Sequence, residues 1–283
     1  MKQAPSDKAS QWYEQAVRYD AGDDVYHAVK LLKLCVRLEP DWLPPFLLLA
    51  AVYKRRREWK QVLYYCKKAV ALHAQDQDRW WDLGIAAAAL GKDRLAKAVW
   101  QKFTPPAPQG ALISLRLEHS GLFELIWAKT LDSVRAMLFS IPHPDSDLHY
   151  RDIVLFDREQ VGLNIAGKRK VPVFPVLGRT KRSFFQTFTC ILHQTTAQSI
   201  QTLETLCADA GIGFEIWTDA SWSKTIPVEG KIPEYFGNQV FPASSDTEVW
   251  AALAAKTESD ILQVLSNWRI ISLGSFSNLE KWS

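Results

Sequence analysis

Four polar side chains alternate along IPHPDSDLHYRD, residues 141–152: His143, Asp145, Asp147 and His149. In an extended chain alternate side chains share one face. Two imidazoles and two carboxylates on one face are a donor set for Zn²⁺ or another divalent ion. That chemistry would make the chain a metal-dependent hydrolase. Pro142, Pro144 and Ser146 argue for a loop instead, where alternate side chains diverge. The expectation is a solvated polar loop, without a metal or cofactor.

A second stretch, GLNIAGKRK at 162–170, has the spacing G-x-x-x-x-G-K of a phosphate-binding loop. Such a loop needs a helix behind it, whose N-terminal amides hold the anion, and a Ser or Thr after the Lys for Mg²⁺. Here Arg169 follows Lys168, and the next residues, KVPVFPVL, are strand-like with Pro172 and Pro175. The glycines are therefore expected to flank a β-hairpin turning at 166–168. No G-x-S-x-G occurs, and His193 falls at a strand end. Cys35, Cys66, Cys190 and Cys207 form no C-x-x-C pair and fall at packing positions. They are expected to be reduced thiols in a cytoplasmic protein.

The elements that must position these groups fall into two parts. The 283 residues are enough for two domains. No apolar run is long enough to span a bilayer, and the N-terminal residues hold no secretory signal. Residues 1–105 carry 18 Lys/Arg against 12 Asp/Glu, a net of +6; residues 106–283 carry 16 against 19, a net of −3. Nucleic-acid binding usually asks for a stronger, clustered excess. The densest basic run, KRRR at 54–57, reads as solvated helix surface. With Lys168–Lys170 and Lys181–Arg182 it supports a disfavoured alternative, a nucleic-acid-binding accessory protein.

In the first third, stepping by 34 from Trp12 gives Phe46 and Trp80; from Ala16, Ala50 and Gly84; from Ala28, Val62 and Ala96; from Leu32, Cys66 and Trp100. Small residues let paired helices approach, and large ones fill between them. Gly22 and Gly91 fall at the turns, and each pair buries its face only against its neighbour. This register resembles the tetratricopeptide repeat family over residues 9–108, most clearly in RWWDLGIAAAALGKDRLAKAVWQKF. The resemblance implies a helical solenoid of three helix pairs whose first helices line a groove for a partner peptide or helix. Carried onto this chain, the groove residues are Tyr13, Val17, Leu47, Lys54, Arg55, Trp81 and Ile85. Some family members grip a C-terminal carboxylate with Lys, Asn and Arg. Tyr13, Val17, Leu47 and Asp82 stand there instead, which argues against chaperone tails. Trp12 and Trp80 are expected to be buried and needed for folding.

TPPAPQG at 104–110 is expected to stop the last helix. Residues 109–145 are expected to be a linker and capping segment, with an apolar helix over 122–141. Residues 146–283 read as an α+β domain with a mixed sheet: strands at DIVLF, VGLNI, VPVFPVL, FFQTFTCIL and GFEIW, and a helix over 195–211 between two parallel strands. A helix over 246–267 and a final strand RIISLGSF complete it, and RTKRS at 179–183 reads as a turn. Together these predict an α+β protein with no enzymatic activity. It would bind another protein, or dock its groove on its own C-terminal domain, and would not bind a membrane.

Overall fold

The computed structural model describes residues 4–103, 109–119, 122–166, 168–217, 226–227 and 248–282. The chain divides into two compact units, 1–106 and 107–283. Residues 104–108, most of the expected TPPAPQG stop, lie outside the described residues.

The described helices of the first unit are α1 (Asp7–Ala21), α2 (Val25–Leu38), α3 (Leu43–Arg55), α4 (Trp59–Leu72), α5 (Gln77–Ala89) and α6 (Asp93–Phe103). These are the three pairs that the repeat implies, and the period of 34 is present in the backbone itself. Asp23, Arg57 and Gly91 all adopt left-handed φ, at 59°, 58° and 66°. Their amides return to Asp20, Lys54 and Ala88, and the next amides return to Tyr19, Tyr53 and Ala87 at 2.8–3.0 Å. This is the Schellman closure of a helix, repeated in phase three times. Gly22 sits one residue before the left-handed position, which in the first repeat falls to Asp23.

Small residues sit where helices touch. Ala16, Ala28 and Val62 are fully buried, and a Cβ on Gly84 would lie 2.2 Å from the Trp100 ring. Phe46 is buried, but Trp12 and Trp80 are only half-buried. Lys8 lies over the Trp12 ring at 4.8 Å, and Lys102 over Trp80 at 4.3 Å. Neither ring is the deep core anchor expected.

The second unit starts with strands where a linker and helix were expected. β1 (Leu112–His119) and β2 (Leu122–Thr130) pair antiparallel over their full length, and β3 (Arg135–Leu138) continues the meander. β4 (Ile153–Phe156), β5 (Gly162–Ala166) and β6 (Arg169–Lys181) follow. The 4-3 spacing of apolar residues over 127–141 imitates a helical stripe, yet Val134, Leu138 and Ile141 reach the interior from a turn, a strand and a loop. β5 and β6 form the expected hairpin, with Ala166 opposite Arg169. The order is β1-β2-β3-β4-β6, and β6 returns to pair with β1 in parallel. The sheet is therefore a closed five-strand barrel rather than an open mixed sheet. Its interior holds Ile113, Leu115, Leu117, Ile126, Leu138 and Phe156, alternating along β1 as a half-buried strand requires.

The rest is a four-stranded sheet backed by two helices. β7 (Gln186–His193), α7 (Ala197–Asp209) and β8 (Gly213–Ile216) precede β9 (Ile226–Pro227), which pairs with β5. β10 (Glu248–Ala255), α8 (Glu258–Ser272) and β11 (Ser275–Lys281) complete it. The order is β11-β7-β10-β8, all antiparallel neighbours. β7 and β8 are thus parallel to each other across β10, as the crossover predicts, and the whole is a split β-α-β arrangement. α7 has Thr196 as N-cap, its hydroxyl accepting from Ser199 N at 3.1 Å, and Gly211 turns the chain beyond it. Two expectations fail here. Residues 248–255 are a central strand, not helix, and RIIS is the end of α8, so the last strand begins at Ser275.

One face of this sheet meets α7 and α8 through Phe188, Cys190, Leu203, Leu265 and Trp268. The other face is covered by the segment joining β3 to β4, through Ile141, Tyr150, Trp217, Ala252 and Ala254. Close approach is required there: a Cβ on Gly213 would lie 3.1 Å from the Tyr150 ring.

Candidate functional site

The residues expected to line a groove divide by burial. Val17 is 42% exposed, and Tyr13 and Leu47 are half-buried, Tyr13 edge-on to Trp42 at 5.1 Å. Trp81 and Ile85 are core residues instead. Ile85 has no exposed surface, Trp81 keeps 7%, and the Trp81 ring lies 4.8 Å from Trp100. From Leu83 to Ala88 α5 is apolar and buried at every position, so its face cannot be assigned from periodicity alone.

Lys54 and Arg55 are present at the first helices but already engaged. Lys54 pairs with Asp82 at 2.8 Å, and Arg55 pairs with Asp20. Each pair links one helix pair to the next. Arg56 pairs with Glu58, and Arg57 is the left-handed turn residue. The KRRR run is therefore largely built into the scaffold.

The alternating loop does not assemble a metal site. Asp147, at a left-handed φ of 53°, pairs with Arg179 at 3.1 Å. His149 Nε2 lies 2.8 Å from the Arg182 guanidinium. His143 Nδ1 accepts from Asp145 N, and its ring faces Trp217 and Trp282, about 6 Å from each. A 3₁₀ turn at 144–146 breaks the extended geometry on which convergence depended. Among the described residues no group of three or more His, Cys, Asp or Glu is placed to hold a metal.

Asp152 organises this region instead. Its carboxylate is fully buried and accepts from His149 N at 3.0 Å and Ser183 N at 2.6 Å, with Arg179 at 3.4 Å. Burial and the nearby Arg182 and Arg179 hold the His149 imidazole below its usual pKa, against the pull of Asp152. A neutral His149 can accept a hydrogen bond from Arg182. The expected turn at 179–183 is in fact the end of β6 followed by a turn beyond Lys181.

Two carboxylates that motif reading passed over clamp the covering segment. Glu124 is 1% exposed and accepts from His143 N at 3.0 Å. Glu215 accepts from Ile141 N at 3.1 Å. β8 is an edge strand, so part of Glu215 is exposed, but its carboxyl is turned onto that amide. Desolvation pushes Glu215 up to about 7; neighbouring Glu124 adds to this, against hydrogen bonds from Ile141 N, Ser140 and Trp217. Neither residue stands in a motif, and they come from strands of different sheets, brought together only by the β3–β4 segment whose amides they accept from. The four cysteines are buried free thiols, pushed up by burial to about 11 at Cys35 and about 12 at the other three. Burial keeps all four in the thiol form at neutral pH. His193 bonds Ser277 Oγ at 2.7 Å.

No protein-family model matches the chain, and no curated protein matches it. Similar solved structures include the second tetratricopeptide domain of Spaghetti (RPAP3) bound to the HSP90 peptide SRMEEVD. It is 14% identical over 34% of this chain and 90% of that one, with a TM-score of 0.32. The Sgt2 tetratricopeptide domain from Aspergillus fumigatus is 17% identical over 35% of this chain and 66% of that one, also at 0.32. A hypothetical protein from Neisseria gonorrhoeae is 12% identical over 60% of this chain and 94% of that one, at 0.27. These scores are too low to bear on function. Among the described residues no helix is long and apolar enough to cross a membrane.

Proposed function

We propose that the protein is a non-enzymatic interaction protein, an adaptor or complex subunit. Its helical repeats hold an uncharged apolar helix or extended segment of another protein. The observation that carries this reading is the state of the groove. Its cations are matched internally by Asp20 and Asp82, while Tyr13, Val17 and Leu47 keep exposed apolar surface. Stacked helix pairs present such surfaces for helices and peptides. An acidic peptide tail would have to displace two carboxylates, so it is the wrong occupant.

The test is recovery of bound proteins from the native host with wild type and with a Val17→Glu/Leu47→Glu variant. Thermal melting checks that the variant folds. A protein retained by wild type and lost from the folded variant supports the groove. Equal recovery from both moves any interaction elsewhere and ends the groove reading.

A further inference from the structure

A cleft of about 400 Å³ opens beside the turn between β6 and β7 and the end of β11. His149, Arg182, Phe184, Phe185, Lys281 and Trp282 are among its lining residues. That volume lies in the range of sites for small organic groups, about 300–1,000 Å³, and is too small for a folded segment.

Three properties of the wall select the ligand. The first is charge. Arg182 and Lys281 are cations of the wall, and among the described residues no carboxylate lines it. Arg182's one described hydrogen bond is to His149, out of the five donors of a guanidinium. Lys281 has no ion pair among the described residues. Glu280, one position away on β11, is not among the lining residues, and Asp152 is fully buried.

The second is exposed aromatic surface. Phe184 is 83% exposed, between Ser183, tied down by Asp152 and the Tyr150 carbonyl, and Phe185, which packs edge-on to Tyr150 at 5.2 Å. The backbone on both sides is tied down, which sets the point from which the ring projects. The third is a second ring, held in place. Trp282 keeps 37% exposure, while its indole N–H donates to Thr189 Oγ1 at 2.9 Å and its amide to Thr187 O at 3.0 Å.

Isolated exposed rings are ordinary. Two exposed rings in a wall that carries two cations and, among the described residues, no carboxylate are the arrangement that stacks a flat base and holds its phosphate. We propose that this cleft binds one nucleotide unit, with the base on Phe184 and Trp282 and the phosphate at Arg182 and Lys281. The unit is either a free mononucleotide or one residue of a single strand. An acidic peptide would satisfy the cations but offers nothing flat for the rings. This proposal does not depend on the repeat groove.

The experiment uses the full chain and fluorescence anisotropy of a labelled oligothymidylate, with unlabelled mononucleotides and oligoglutamate as competitors. Phe184→Ala is expected to weaken binding by roughly five- to a hundredfold, the cost of losing one stacked base. Arg182→Gln and Lys281→Gln should each weaken it and flatten its salt dependence. Phe184 and Lys281 are surface residues, so their variants should melt as wild type does. Displacement by mononucleotides assigns a free nucleotide as the ligand; failure of mononucleotides with tight strand binding assigns nucleic acid. Absent binding by both, binding indifferent to Phe184→Ala, or displacement by oligoglutamate as effective as by nucleotide would each overturn the proposal.

Discussion

At the scale of single residues, Glu215 makes the pH behaviour of the second unit testable. Its carboxyl is raised to about 7 in the fold, from about 4.3 in an unfolded chain. Between these values the folded state holds the proton more tightly, so stability falls as pH rises. The contribution is fully present below about pH 4.3 and lost above about 7, on the order of 3–4 kcal/mol. His149, held low, pulls the other way as pH falls. The clean measurement is therefore the difference between wild type and Glu215→Gln in urea melts across this window. The difference should change steadily with pH, and a constant difference would remove Glu215 as the titrating group. Composition and spacing gave no warning of this residue. A lone glutamate in GFEIW looks like the outward side of a strand, and only the β3–β4 segment lying over that face makes it inward.

At the scale of elements, the repeat rests on one contact above others. Gly84→Ala would place a methyl 2.2 Å from Trp100 and is expected to cost about 1–3 kcal/mol. Gly22→Ala, whose new Cβ would meet carbonyl oxygens at no less than 3.5 Å, should leave the midpoint nearly unchanged. Urea unfolding of both variants separates packing from turn effects. The helix pairs were legible because a period of 34 in residue size survives without any single motif. The strands after residue 110 were not. EVWAALAA carries the residues of a helix, yet β10 is a central strand covered on both faces. Ala252 and Ala254 are small because Ile141 and Tyr150 press on them, and such a strand shows no alternation to read. The groove was half legible for a related reason: α5 is buried on so many sides that Trp81 and Ile85 could not be told from surface by their spacing.

At the scale of the molecule, each unit has its own core, so residues 1–106 expressed alone should fold. Far-UV circular dichroism should report a helical protein that unfolds cooperatively; a chain without a melting transition would refute this. The second unit has a less local architecture. Five strands around a ring cannot all alternate in direction, because an odd number leaves one pair running the same way. β1 and β6 are that pair, joining residues 114–116 to 173–175. Every other step around the barrel joins neighbours in the sequence or nearly so. During synthesis, β1 through β4 can zip together as they emerge, while one edge of β1 waits for a strand not yet made. The seam is then the slow, late event in folding. Until it closes, β1 presents unpaired amides and carbonyls to the cell, a window of vulnerability to edge-to-edge aggregation that the finished barrel no longer has.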